Sequence, residues 1–125
     1  MRKTIFTVSL PSLLIIQPLI AEAEAEQSHH IFVTTNTNQV AEVCPELKAG
    51  QTLQFEFEAK NKVEFNLHYH QGENITYPIE PQKLAKLTSS FKAPIDQTYC
   101  LMWKGLDNET RVQLQYHIND YTGTE

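Results

Sequence analysis

The segment His68-Tyr69-His70 sets two imidazoles at positions i and i+2. In a β-strand such residues project to the same side, and Asn66 and Glu64 lie in line behind them. Two neutral imidazoles on one face make half of a Zn or Cu site. His117 lies on the polar face of another alternating run and is the candidate third ligand, provided the two strands are neighbours. Cys100 and Met102 share a face in the same way. Thiolate, thioether and imidazole together form a copper-like ligand set. His29-His30, in a polar and flexible start at 26–30, is a second imidazole pair. Each feature has a plainer reading. His68 and His70 can lie on a solvated strand face, Met102 can fill a core gap, and a bridged Cys100 is no thiolate.

Other chemistry is weaker. Glu56, Glu58 and Glu64 suggest an acidic stripe, but carboxylates do acid–base work only where a cleft shifts their pKa values. On an open face they serve solubility and discourage edge pairing. No nucleophile elbow, phosphate loop or H-E-x-x-H motif occurs, so catalysis is the least supported class. Asn74-Ile75-Thr76 and Asn108-Glu109-Thr110 match the N-glycosylation pattern, which has meaning only in a eukaryotic host.

These residues sit in runs that alternate with a period of two, the mark of half-buried strands. Leu53, Phe55 and Phe57 alternate with Gln54, Glu56 and Glu58. Val63, Phe65, Leu67 and Tyr69 alternate with Glu64, Asn66, His68 and His70. Val112, Leu114, Tyr116 and Ile118 alternate with Gln113, Gln115, His117 and Asn119. Ala59-Lys60-Asn61-Lys62 has a length suited to a hairpin between the first two runs. Weaker strands are expected at 31–35, 39–44, 75–77 and 86–92, with the run 98–104 either covered on both faces or carrying an exposed apolar strip. Pro78, Pro81 and Pro94 exclude central strands at those positions. The one helical candidate is Gln82–Lys86. Several short strands with turns between them imply an all-β, antiparallel β-sandwich of about seven or eight strands. Its core is expected to gather Phe55, Phe57, Phe65, Leu67, Tyr69, Tyr99, Leu101, Trp103, Leu114 and Tyr116, with partners for the Tyr and Trp polar atoms.

The chain's start supplies an address. Met1-Arg2-Lys3 is basic, Ile5 to Ile20 is largely apolar, and Ala21-Glu22-Ala23-Glu24-Ala25 offers A-x-A exits after Ala23 or Ala25. This is the pattern of a signal peptide over 1–25. The expected product is a secreted or periplasmic domain over 31–120, with a tail at 121–125 and no membrane span. Removing 1–25 removes two residues of each sign, Arg2, Lys3, Glu22 and Glu24, so the charge stays at −5. An acidic domain repels phosphate backbones, which excludes ordinary nucleic-acid binding. Export with two cysteines, Cys44 and Cys100, favours one disulfide. Two free thiols or a metal site are the alternatives.

From Val43 to Ile118 the chain resembles a GOLD domain, the lumenal sandwich of secretory cargo receptors. The likeness is carried by Val43-Cys44-Pro45-Glu46-Leu47-Lys48-Ala49-Gly50-Gln51, by Val63-Glu64-Phe65-Asn66-Leu67, by Phe91-Lys92-Ala93-Pro94 with Tyr99-Cys100-Leu101-Met102-Trp103, and by Val112-Gln113-Leu114. The resemblance implies an immunoglobulin-like sandwich with Cys44 bridged to Cys100. It also implies a non-enzymatic module for a protein or small ligand. The receptors continue into a coiled coil, a membrane span and a cytosolic tail, which this sequence lacks, so it resembles a short bacterial-type relative without their sorting role. The expectation is therefore an exported binding module. A periplasmic Cu- or Zn-binding protein using His68 and His70, with His117 or Met102, is the alternative.

Overall fold

The computed structural model describes residues 4, 5, 7, 9–16 and 27–120. Most of the expected signal peptide, both cleavage points and the tail at 121–125 lie outside the described residues. Between 9 and 16 the chain is irregular and Leu10, Leu13, Leu14, Ile15 and Ile16 are exposed. No helix among the described residues is long and apolar enough to cross a membrane.

The described residues form eight strands: β1 (Gln27–Thr35), β2 (Val40–Val43), β3 (Glu46–Leu47), β4 (Thr52–Gln71), β5 (Asn74–Lys92), β6 (Gln97–Thr98), β7 (Cys100–Gly105) and β8 (Thr110–Asn119). All strand pairings are antiparallel. The expected all-β sandwich class is the one observed.

Its organising element is β4, and here the expected hairpin at 59–62 is corrected. Leu53 through Tyr69 lie on one strand that turns a corner instead of reversing. A tight hairpin needs residues at positive φ, and none of Ala59–Lys62 adopts one. The corner is a bulge: Glu58 pairs with Lys86 but Val63 with Leu84, so β4 takes five steps where β5 takes two. Before the corner, Thr52–Ala59 pair with β8; beyond it, Val63–His68 pair with β7 along the same edge. Two layers result. One holds β1, β8, the first half of β4 and the second half of β5. The other holds β2, β7 and the remaining halves.

Odd-numbered residues of β4 face inward on both sides of the corner. Leu53, Phe55, Phe57, Ala59, Val63, Phe65, Leu67 and Tyr69 are all buried. Phe57 meets Trp103 of the opposite layer edge-on at 5.6 Å between ring centres, and Phe65 lies between them at 4.7 and 5.7 Å. The expected core residues are all buried. Tyr99 donates from its hydroxyl to the Ile95 carbonyl at 2.7 Å. Trp103 Nε1 departs from expectation, being buried without a hydrogen-bond partner among the described residues.

Strand β5 corrects two further expectations. Residues 75–77 and 86–92 belong to one strand, and Gln82–Lys86 is extended rather than helical. Pro78 and Pro81 are accommodated because, among the described residues, β5 pairs only with β4 and its other edge has no strand neighbour. Each proline also falls in a bulge, between the pairs Tyr69–Thr76 and Leu67–Ile79 and between Leu67–Ile79 and Phe65–Gln82. The expectation of a flexible start at 26–30 is likewise corrected over Gln27–His30, which pair with Gln115–Ile118.

Cys44 and Cys100 are bridged across a separation of 56 residues, fastening the end of β2 to β7. Closing a loop of this size stabilises a domain by about 4 kcal/mol in the chain-entropy picture. Reduction is therefore expected to lower the melting temperature by several degrees, with the buried Trp103 as the fluorescent reporter. An unchanged melting curve would show that the bridge does not constrain the domain.

Candidate functional site

The even-numbered residues of the second half of β4 form the outer face of their layer, and that face is not the solvated surface such alternation suggests. Asn66 is 1 % exposed and His68 is 4 % exposed, whereas His70 is exposed. His68 lies opposite Cys100, and Asn66 opposite Met102. Glu42 of β2 pairs with Met102 from the far side. The disulfide, the half-buried Met102, Glu42, His70 and Tyr77 thus surround His68.

The polar contacts fix this imidazole. His68 Nδ1 lies 2.8 Å from Asn66 Oδ1. The amide oxygen only accepts, so Nδ1 carries the proton and Nε2 presents its lone pair. Nε2 points to Glu42 Oε1 at 3.8 Å. Burial is the largest influence on His68 and lowers its pKa below the ordinary histidine value. The nearby His70 lowers it further, while Glu42 opposes both. Burial thus favours the neutral ring.

The expected ligand set is only partly assembled. His68 and His70 stand edge-to-face at 5.1 Å. Met102 and Cys100 lie on the neighbouring strand, but Cys100 is in the disulfide. His117 is corrected outright. Its strand does adjoin β4, but His117 pairs with Gln54, ahead of the corner, and lies on the other layer. His29 stacks on Tyr116 at 4.6 Å and His30 Nε2 lies 2.9 Å from Gln113 Nε2, so this pair is built into β1. The acidic stripe also dissolves. Glu56 and Glu58 lie ahead of the corner and Glu64 beyond it, opposite Lys83 and Lys104. Among the described residues, the donor group compact enough to hold a metal is Glu42 with Cys44 and Cys100.

A second feature, not anticipated from the sequence, occupies one end of the sandwich. The β1–β2 loop (36–39) and the β7–β8 loop (106–109) lie about seventy positions apart in the chain and are tied together. Thr37 N–H donates to Asn108 Oδ1 at 3.2 Å and Glu109 N–H to Asn36 Oδ1 at 2.8 Å. Asn38 N–H donates to the Gly105 carbonyl and Gly105 N–H to the Gln39 carbonyl. Beneath them the buried Thr35 and Thr110 hydroxyls donate to the carbonyls of Gln39 and Asp107. Asn38 and Glu109 hold φ of 63° and 53°. Such conformations are costly for residues with a side chain and gather at functional sites. Gly105 permits the approach, because a Cβ there would collide with the Asn36 carbonyl. Asp107, Asn108 and Glu109 crown this end, exposed. Of the two glycosylation candidates, Asn108 takes part in this brace and Asn74 lies exposed at the β4–β5 turn.

No protein-family model and no curated protein sequence matches the chain. Solved structures share its architecture. The periplasmic inhibitor of g-type lysozyme from Aeromonas hydrophila, PliG, superposes with a TM-score of 0.56 at 15 % identity, covering 78 % of this chain and 90 % of that one. The Yersinia pseudotuberculosis-derived mitogen superposes with a TM-score of 0.55 at 12 % identity, covering 80 % and 91 %. At these identities the likeness establishes the fold.

Two outcomes are expected. Because the His68 pKa is lowered on folding, the unfolded chain binds more protons than the folded one between that lowered value and about 6.5. The stability from His68 is intact above about pH 6.5 and is lost as the pH falls through the folded pKa. Melting curves of a His68→Gln variant should fall less steeply than wild type on acidification; equal slopes would contradict this. Gly105→Ala should cost about 1–3 kcal/mol, as overpacking does, and denaturant titration would detect it.

Proposed function

We propose that this chain is an exported, non-enzymatic module that binds a protein partner through its braced loop end. The observation that carries the proposal is the pair of loops 36–39 and 106–109. They hold two non-glycine residues at positive φ and are tied by side-chain and backbone hydrogen bonds. Ordering the loops before binding removes an entropic cost that a partner would otherwise have to offset. Asp107, Asn108 and Glu109 then present two carboxylates and an amide from a backbone held by these bonds.

Several observations support the class. The signal-like start and the disulfide fit an oxidising compartment. The GOLD resemblance implies a binding module. The PliG structure is that of a periplasmic lysozyme inhibitor, and it makes g-type lysozyme the first target to test. A Cu or Zn site built on His68 and His70 has less support, because His117 lies on the other layer and Cys100 is bridged to Cys44.

The test is inhibition of a purified g-type lysozyme by residues 26–125, with Asp107→Ala and Glu109→Ala beside the wild type. The expected result is inhibition by the wild type, weakened ~10-fold or about 1.4 kcal/mol in each variant. A lysozyme left fully active would contradict that target. Inhibition unchanged in both variants would contradict the assigned surface.

A further inference from the structure

We propose that the Cys44–Cys100 pair, once reduced, forms a Zn2+ site completed by Glu42 and His68. The donor atoms of Glu42, Cys44 and Cys100 already lie within 4.8 Å of one another. Glu42 joins the two sides of the cluster: Oε2 lies 3.9 Å from Cys44 Sγ and Oε1 lies 3.8 Å from His68 Nε2. Asn66 holds the His68 Nδ1 proton, which turns the lone pair of Nε2 toward the carboxylate. Such an outer partner fixes the tautomer of a metal-bound histidine. Two thiolates, one imidazole and one carboxylate form a donor set that suits tetrahedral zinc.

The exchange balances. An external dithiol gives up two electrons and two protons, becoming a disulfide as the Cys44–Cys100 bond breaks to two thiols. Zn2+ then displaces both thiol protons to solvent and binds the thiolates. With Zn–S bonds of about 2.3 Å in a tetrahedron, the sulfurs stand roughly 3.8 Å apart. Cys44 can make that movement because it is exposed and lies one residue beyond the end of β2. In the oxidised protein the same atoms form the covalent bridge, so metal and disulfide exclude each other. The site uses neither His70, His117 nor Met102, and it does not depend on the binding role of the loop end.

The test uses Co2+ as a spectroscopic probe and Zn2+ as its competitor. The protein is reduced with a phosphine, desalted without oxygen and compared with the oxidised form. The reduced wild type should take up one Co2+ with the intense visible bands of tetrahedral coordination and a thiolate charge-transfer band, and Zn2+ should abolish both. The oxidised protein should show neither. Glu42→Gln, at an exposed position, and His68→Ala should each weaken binding by at least roughly tenfold and alter the visible bands. Trp103 fluorescence checks that the reduced protein is folded. A pale octahedral spectrum from the reduced wild type would overturn the proposal. So would equal affinity in wild type and both variants, which would show that thiols alone, or an unfolded chain, capture the metal.

Discussion

The continuous inward face of β4 is the constraint on which the rest of the structure depends. One strand supplies both layers with core side chains. It can do so because a bulge at its midpoint turns the chain without changing which side of it faces inward. Phe57 and Phe65 flank the corner and meet the same tryptophan. Moving the register of either half by one residue would carry its apolar set outward and place glutamates and histidines in the core. The remaining strands then have little choice of position. β8 and β7 take successive halves of one β4 edge, and β5 follows the other edge along its whole length.

The division of β4 also decides which polar residues can cooperate. Side chains on the outer face ahead of the corner belong to one layer, and those beyond it to the other. Glu56 and His117 are thereby separated from Glu64 and His68 despite their nearness in strand order. Beyond the corner, β2 and β7 bring Glu42 and the disulfide over Asn66 and His68, and a face that would otherwise be solvated becomes a buried polar cluster. At the sandwich's end, loops that leave β1 and β7 meet because those strands end side by side, bridged between Thr37 and Gly105.

Much of the fold was legible in the sequence. Leu53–Glu58, Val63–His70 and Val112–Asn119 read correctly because period-two alternation survives wherever both faces have distinct neighbours. β5 was obscured because its bulges shift the phase. Phe91, Ser89 and Leu87 face the same side as Leu84, Gln82 and Ile79, and three-residue steps among them resemble a helical period more than a strand. The corner at 59–62 carries the pattern of a turn, because a lysine- and asparagine-bearing interruption looks the same whether the chain reverses or bends. For the site, the shared face of His68 and His70 and the pairing of Cys44 with Cys100 followed from residue type and order. The approach of Glu42 to His68 did not, because it is set by which strand adjoins β7. The loop brace left only a faint signal, Asn36 and Asn38 on one side and Gly105, Asp107 and Asn108 on the other. Such residues mark turns, but nothing local says that two turns touch.

The loop end is held together in the unbound chain, before any partner arrives. Amide hydrogen exchange of the unbound, oxidised protein tests it most directly. The N–H groups of Thr37, Asn38, Gln39, Gly105 and Glu109 all have acceptors in the structure, and they are expected to exchange as slowly as amides of the β1–β8 ladder. Exchange at the rate of an open loop would show that the two turns are not tied together in solution, and the preorganised surface would be lost with them.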